Sequence, residues 1–221
     1  MIAGTGSNNT KNAVEFSKRA ERTGVNGLLV VTPYYNKGNE NGIYEHYKAI
    51  AEAVKIPIIL YNVPSRTGVN LSISLLKKLA QIENITALKE ASGNISYVAE
   101  VAREVPELDI YSGNDDMVVP VLSLGGKGVI SVSANIIPDI NHEMVVSFLN
   151  GDIEKARELQ LKYNDLVNAL FLETNPVPIK EAMNFLGYEV GNCRLPLGMM
   201  EESNRAKLRD ILIAHEVTGW K

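Results

Sequence analysis

Lys89 closes the apolar run Ile85-Thr86-Ala87-Leu88, and the polar turn Glu90-Ala91-Ser92-Gly93-Asn94 follows it directly. A lysine at the carboxyl end of a buried strand loses part of its hydration. That favours the neutral amine and makes it a nucleophile toward carbonyl compounds, the chemistry of a Schiff base. Upstream, the run Ile56 to Leu60 ends in Tyr61-Asn62-Val63-Pro64-Ser65-Arg66-Thr67-Gly68, which brings a phenol and a guanidinium to the corresponding place. Taken singly, a strand-end lysine is usually solvated, a tyrosine packs with its hydroxyl wet, and an arginine in a turn is a surface charge. The pattern carries the argument, because all three groups follow successive strand-like runs and so converge on one face.

The elements that must position them alternate along the chain. Apolar runs recur at residues 1–4, 27–32, 56–61, 85–89, 108–112 and 127–132, with helical patterns at about 10–23, 40–54, 73–82, 94–104, 115–124 and 138–149. Such alternation predicts parallel βα units, and continuous rather than alternating apolar runs predict strands covered on both faces. Ser72, Asn94 and Asp139 are expected N-caps, and a cap near Asn9 or Thr10 is expected after Gly4-Thr5-Gly6. That GxG lacks the third glycine of a nucleotide fingerprint and reads as a tight turn. After Asn150 only helices are expected: Asp152 to Glu173, Pro178 to Leu186 and Glu201 to Val217. The division is therefore 1–150, a barrel portion, and 151–221, a helical region covering and extending it.

The polar residues cluster just after the strands: Thr5, Tyr34 and Tyr35, Tyr61 and Arg66, Lys89, Ser112 to Asp116, and Ser131 to Asn135. In a (β/α)8 barrel that carboxyl face is where active sites are built. A closed barrel needs eight strands and six are found. Either the fold is a (β/α)8 TIM barrel lacking about its first two βα units, with a C-terminal helical extension, or the sheet stays open with two raw edges.

Composition removes several classes of function. With 221 residues, 45% hydrophobic and 22% charged, the chain is long enough for one sizeable core. Its net charge of −4 leaves no basic footprint for nucleic acid. The apolar runs are strand-length, so no membrane span and a cytoplasmic location are expected. A single cysteine, Cys193, excludes an internal disulfide and reads as an apolar filler. His46, His142 and His215 are scattered over predicted helices, which gives no zinc spacing and no histidine-based triad. No metal and no cofactor are expected.

At several places the residues resemble one family. The segments Ile2-Ala3-Gly4-Thr5-Gly6-Ser7-Asn8, Val31-Thr32-Pro33-Tyr34-Tyr35-Asn36, Tyr61 to Gly68, Leu88-Lys89-Glu90-Ala91-Ser92-Gly93-Asn94, Ser112-Gly113-Asn114-Asp115-Asp116, Gly128-Val129-Ile130-Ser131-Val132 and Asn175-Pro176-Val177-Pro178-Ile179-Lys180 resemble the 4-hydroxy-tetrahydrodipicolinate synthase (dihydrodipicolinate synthase) family. The similarity runs over essentially the whole chain. It implies a class I pyruvate-dependent lyase on a (β/α)8 barrel, acting in lysine and diaminopimelate biosynthesis. The substrates it implies are pyruvate and L-aspartate 4-semialdehyde.

On this resemblance Lys89 matches the lysine that forms an imine with pyruvate, and Tyr61 the tyrosine that relays protons at the imine carbon. Tyr35 matches the relay tyrosine that reaches into a neighbouring subunit's site, so a homo-oligomer, a dimer or dimer of dimers, is implied. Arg66 matches the guanidinium that holds the semialdehyde carboxylate, and Gly113 and Ile130 match positions lining the pyruvate pocket. Asn8 and Tyr34 match contacts of the lysine inhibitor. Asn12 stands where responsive members carry an acidic residue, which implies weak or no feedback.

The family's Gly-Thr-Thr-Gly-Glu motif is absent, and no Thr-Thr pair occurs in the chain. Together with the exposed edge expected of the first strand, this predicts that the 221 residues alone are poorly soluble, loosely folded or stabilised by non-native association, with negligible synthase activity. Two alternatives stay open: N-acetylneuraminate lyase or another pyruvate aldolase, and a non-catalytic fragment. Arg66 within Ser-Arg-Thr-Gly favours the synthase over the first.

Overall fold

Runs of leucine, isoleucine and valine without polar alternation become strands whose side chains are covered on both faces. Leu28, Val30, Ile58, Leu60 and Leu88 are wholly removed from solvent, as parallel strands flanked by helices require. The computed structural model describes residues 1–218. Strands and helices alternate as β1 (Ile2–Gly4), α1 (Thr10–Arg22), β2 (Gly27–Val31), α2 (Glu40–Ala53), β3 (Ile58–Asn62), α3 (Pro64–Thr67), α4 (Ile73–Leu79), β4 (Ile85–Glu90), α5 (Ile95–Glu104), β5 (Asp109–Ser112), α6 (Val118–Ser123) and β6 (Gly128–Val129). Helices alone follow: α7 (Pro138–Leu149), α8 (Ile153–Lys162), α9 (Asn164–Ala169), α10 (Val177–Phe185) and α11 (Glu202–Ala214).

The chain divides into two compact units, Met1–Asn114 with Ser123–Gly128, and Asp115–Leu122 with Val129–Lys221. The first holds an α/β sheet in the sequential order β1-β2-β3-β4-β5, extended by β6 as the chain leaves the unit. The pairings from β1 to β5 are all parallel. Sequential order with a helix between strands is the connectivity of a (β/α) barrel. The six strands expected are the six observed among the described residues. β1 is the edge, with Ile2 52% exposed and Phe16 of α1 50% exposed.

The second unit is built around an apolar cluster that includes Leu159, Leu166, Leu170, Ala182, Leu208 and Leu212. Cys193 packs against this cluster, half-buried, as the filler reading expected.

Local chemistry accounts for most helix starts. The Asn9, Ser72 and Asn94 side chains accept the N–H groups of Asn12, Leu75, and Ser96 with Tyr97, each satisfying a donor the first turn leaves open. Three sequence expectations need correction. Asp139 is not an N-cap: Ile137 occupies that place, Pro138 opens α7, and Asp139 lies in the first turn, where its charge complements the helix dipole. The helix expected over 115–124 opens with a 3-10 turn at Asp115–Met117 before α6. The long helix expected over 152–173 breaks at Tyr163. The weak helix formers Asn164 and Asp165 follow there, and Asp165 pairs with His215 Nε2 at 2.7 Å.

Candidate active site

A register shift in the sheet sets the site. Ile58 of β3 pairs with Ile85 of β4 but Ile59 pairs with Ala87, so Thr86 is skipped and every pair above is displaced by one. As a result Tyr61 stands opposite Lys89, and Asn62 opposite Glu90. Lys89 Nζ lies 4.3 Å from the centroid of the Tyr61 ring, within range for an ammonium on an aromatic face. Both side chains are half-buried. Burial pushes the Tyr61 phenol above its ordinary value, against an opposing pull from the Arg66 guanidinium, so at neutral pH it keeps its proton and can donate it.

Glu90 turns away from this face. Its Oε2 accepts Asn62 Nδ2 at 2.7 Å and its Oε1 accepts the Ser92 N–H. The alternation of a strand thus separates an amine from the carboxylate beside it. Burial raises the Glu90 carboxyl, opposed by the hydrogen bonds from Ser92 and Asn62. On the next strand Tyr111 of β5 is the register partner of Lys89. Sequence reasoning gave neither Tyr111 nor the Asn62–Glu90 pair a role.

Arg66 sits in the short helix α3, which Pro64 opens and Gly68 closes in the left-handed region at φ 72°. It is exposed at the end of β3. The loop after β2 lies against this turn: the Tyr35 N–H reaches the Thr67 carbonyl at 3.4 Å. A Cβ on Gly68 would meet Lys37 Cε at 2.8 Å. Tyr35 is 88% exposed and holds φ at 74°, strained for a residue with a side chain. Tyr34 is also exposed. Asn8 is half-buried, and its carbonyl accepts Asn36 Nδ2 at 3.3 Å.

Gly113 approaches Lys89 from just past β5. A Cβ there would lie 2.6 Å from Ala91 Cβ, 2.9 Å from the Glu90 carbonyl oxygen and 3.1 Å from Lys89 Cε. Its N–H donates to that Glu90 carbonyl at 2.7 Å. The first unit therefore brings Lys89, Tyr61, Arg66 and Gly113 to the carboxyl ends of β3, β4 and β5, with Tyr35 on the adjoining β2 loop. Ile130 belongs to the second unit, half-buried just past β6. In that unit Asp115 Oδ2 accepts the N–H groups of Val132 and Ser133 at 2.9 and 3.1 Å, fixing the turn that follows Ile130. Among the described residues no group of three or more His, Cys, Asp or Glu is arranged to hold a metal ion. No described helix is long and apolar enough to cross a membrane.

An amine, a proton-bearing phenol and a guanidinium so placed can form an imine, move a proton at its carbon and hold a carboxylate. Comparison with known proteins points the same way. The chain is 57% identical over 212 residues to the 4-hydroxy-tetrahydrodipicolinate synthase of Brachyspira hyodysenteriae, covering 96% of this chain and 72% of that protein. It is 58% identical over 218 residues to the enzyme of that name from Caldicellulosiruptor bescii, covering 99% and 74%. Its fold superposes with a TM-score of 0.95 and 42% identity on the chloride-inhibited dihydrodipicolinate synthase of Acinetobacter baumannii complexed with pyruvate, over 98% of this chain and 75% of that one. The sequence pattern described as the dihydrodipicolinate synthetase family matches residues 1–215, and the chain belongs to that family.

Proposed function

We propose that this chain carries the active site of a class I pyruvate-dependent lyase that makes 4-hydroxy-tetrahydrodipicolinate. The observation that carries the reading is Lys89 Nζ seated 4.3 Å over the Tyr61 ring at the ends of adjacent parallel strands. The Lys89 amine adds to the keto carbon of pyruvate and water leaves, giving an imine; loss of a methyl proton gives the enamine. The enamine carbon then forms a bond to the aldehyde carbon of L-aspartate 4-semialdehyde. Attack of the semialdehyde amine on the imine carbon closes the ring and releases Lys89. Tyr61 moves protons at the imine carbon, and its elevated phenol suits a donor. Arg66 offers two parallel N–H donors to the semialdehyde carboxylate.

Gly113 and Ile130 line the pyruvate pocket in this reading, and Asn8 and Tyr34 are the lysine-contact positions. Tyr35 reaches a neighbouring copy's site in a dimer or dimer of dimers; its 88% exposure supports that role. Residues 1–150 serve as the barrel portion and 151–221 as the helical region. The reading is tested by incubating the protein, or a version with the expected upstream βα units restored, with pyruvate and borohydride and mapping the adduct by mass spectrometry. A single reduced adduct on Lys89, lost in Lys89→Ala, is expected. Trapping at another lysine sinks the assignment.

A further inference from the structure

Asn62 and Glu90 stand one residue beyond the Tyr61–Lys89 pair and face the other way. Asn62 is wholly buried and Glu90 is 3% exposed. A carboxylate at such depth is costly unless each oxygen is hydrogen-bonded, and here both are. Asn62 in turn spends its whole amide. Its Nδ2 donates to Glu90 Oε2 at 2.7 Å and to Asn70 Oδ1 at 2.8 Å, while its Oδ1 accepts the Leu71 N–H at 3.1 Å. Leu71 is itself fully buried, and its carbonyl accepts the Tyr97 hydroxyl from α5.

The loop 63–70, which carries Arg66, leaves from the backbone of Asn62 and returns at Leu71 to the side chain of that same residue. One residue therefore closes the loop at both ends, and Glu90 fixes which way its amide points. Nδ2 and Oδ1 are not interchangeable in this arrangement, because the carboxylate accepts only and the Leu71 N–H donates only.

We propose that Asn62 and Glu90 are positioning residues for the second substrate: Glu90 orients the Asn62 carboxamide, and Asn62 closes the 63–70 loop so that the Arg66 guanidinium stands in one place. The inference rests on the assignment of Arg66 to the semialdehyde carboxylate. It differs from a general packing role in demanding a particular donor–acceptor order. Glu90→Gln sets an NH2 against either Asn62 Nδ2 or the Ser92 N–H. Asn62→Asp sets two carboxylates against each other. The exchange Asn62→Asp/Glu90→Gln restores the order. The carboxamide introduced on β4 then donates to the carboxylate introduced on β3 and accepts from Ser92. That carboxylate accepts from the Leu71 N–H, and Asn70 turns its amide to donate.

The test compares these three variants with the parent in three readouts, the two activity readouts being taken with the expected upstream βα units restored. These are borohydride trapping of the pyruvate imine, the semialdehyde concentration giving half-maximal consumption of the preformed enamine, and hydrogen exchange at the Leu71 amide. Imine formation should stay within about threefold of the parent throughout, because the Tyr61–Lys89 pair lies on the opposite face. In each single variant the half-maximal semialdehyde concentration should rise about tenfold or more and Leu71 exchange should accelerate comparably; both should return to within about threefold in the exchange variant. Single variants that match the parent, or an exchange variant no better than the singles, overturn the proposal. If the singles do not fold, the exchange variant decides alone: parent-like semialdehyde dependence and Leu71 protection support the proposal, and a loss of about tenfold in either overturns it. Absence of any pyruvate adduct in the parent overturns the functional reading and the catalytic half of this proposal with it, and Leu71 exchange then judges the loop closure by itself.

Discussion

Lys89 of β4 and Tyr61 of β3 are register partners, and the Nζ of one lies against the ring of the other at 4.3 Å. The ring and the hydroxyl of Tyr61 thus do separate things. Tyr61→Phe keeps the aromatic face and removes only the proton donor. Imine formation with pyruvate should slow by about 10²-fold, the range expected for loss of one general acid, while Lys89 remains the residue trapped. An unchanged rate would assign proton transfer to another group, with Tyr111 the neighbour to examine next.

Arg66 is exposed in α3 at the rim. With the expected upstream βα units restored, Arg66→Ala should leave pyruvate imine formation nearly intact and raise the semialdehyde KM. Loss of a bidentate charged contact is worth about 2 kcal/mol, roughly thirtyfold in KM. Equal loss in both half-reactions would mark Arg66 as structural.

Gly113 has no room for a methyl group, since its Cβ would press on Ala91, the Glu90 carbonyl and Lys89 Cε together. Gly113→Ala should cost about 1–3 kcal/mol in denaturant unfolding and slow imine formation by displacing Lys89. Wild-type stability with wild-type trapping would show that β5 moves aside freely.

His46 of α2 is buried beneath α1, with Nδ1 2.9 Å from Thr10 Oγ1, and burial pulls its pKa down to about 4. The folded chain therefore keeps a neutral imidazole where the unfolded chain, titrating near 6.5, takes up a proton. The stabilising difference is whole above about pH 6.5, declines as pH falls toward about 4, and changes no further below that; its ceiling is about 3 kcal/mol. Denaturant midpoints between about pH 7.5 and about pH 4.5 should drop less in His46→Gln than in the parent. Parallel drops would show that carboxylates alone govern acid sensitivity.

Much of this arrangement is legible in the chain because it depends on local pattern. Apolar runs mark β2, β3 and the start of β4, and Lys89, Tyr61 and Arg66 are visible as reactive types that follow those runs. The caps at Ser72 and Asn94 follow from side chains whose oxygens reach N–H groups two or three residues on. What escapes depends on partners distant in sequence. Glu90 reads as a polar residue of a turn, and only the pairing of β3 with β4 brings it to Asn62 and into the core. The break at Tyr163 escapes likewise, since the partner of Asp165 is His215, far along the chain. Asp139 fails as a cap for a local reason, the proline before it.

The skipped residue Thr86 has an evolutionary corollary. It is exposed, and it lies between a lower stretch of β4 that packs the core and an upper stretch that presents Lys89 and Glu90. Length changes in a lineage can be absorbed at that joint, since a lost residue there leaves Tyr61 facing Lys89. One residue gained above it, between Ala87 and Lys89, exchanges the two faces: Lys89 comes opposite Asn62, and Glu90 moves to the face of Tyr61, one place beyond it. Loss of Thr86 is therefore compatible with the Tyr61–Lys89 pairing, whereas a change of one residue between Ala87 and Lys89 is not.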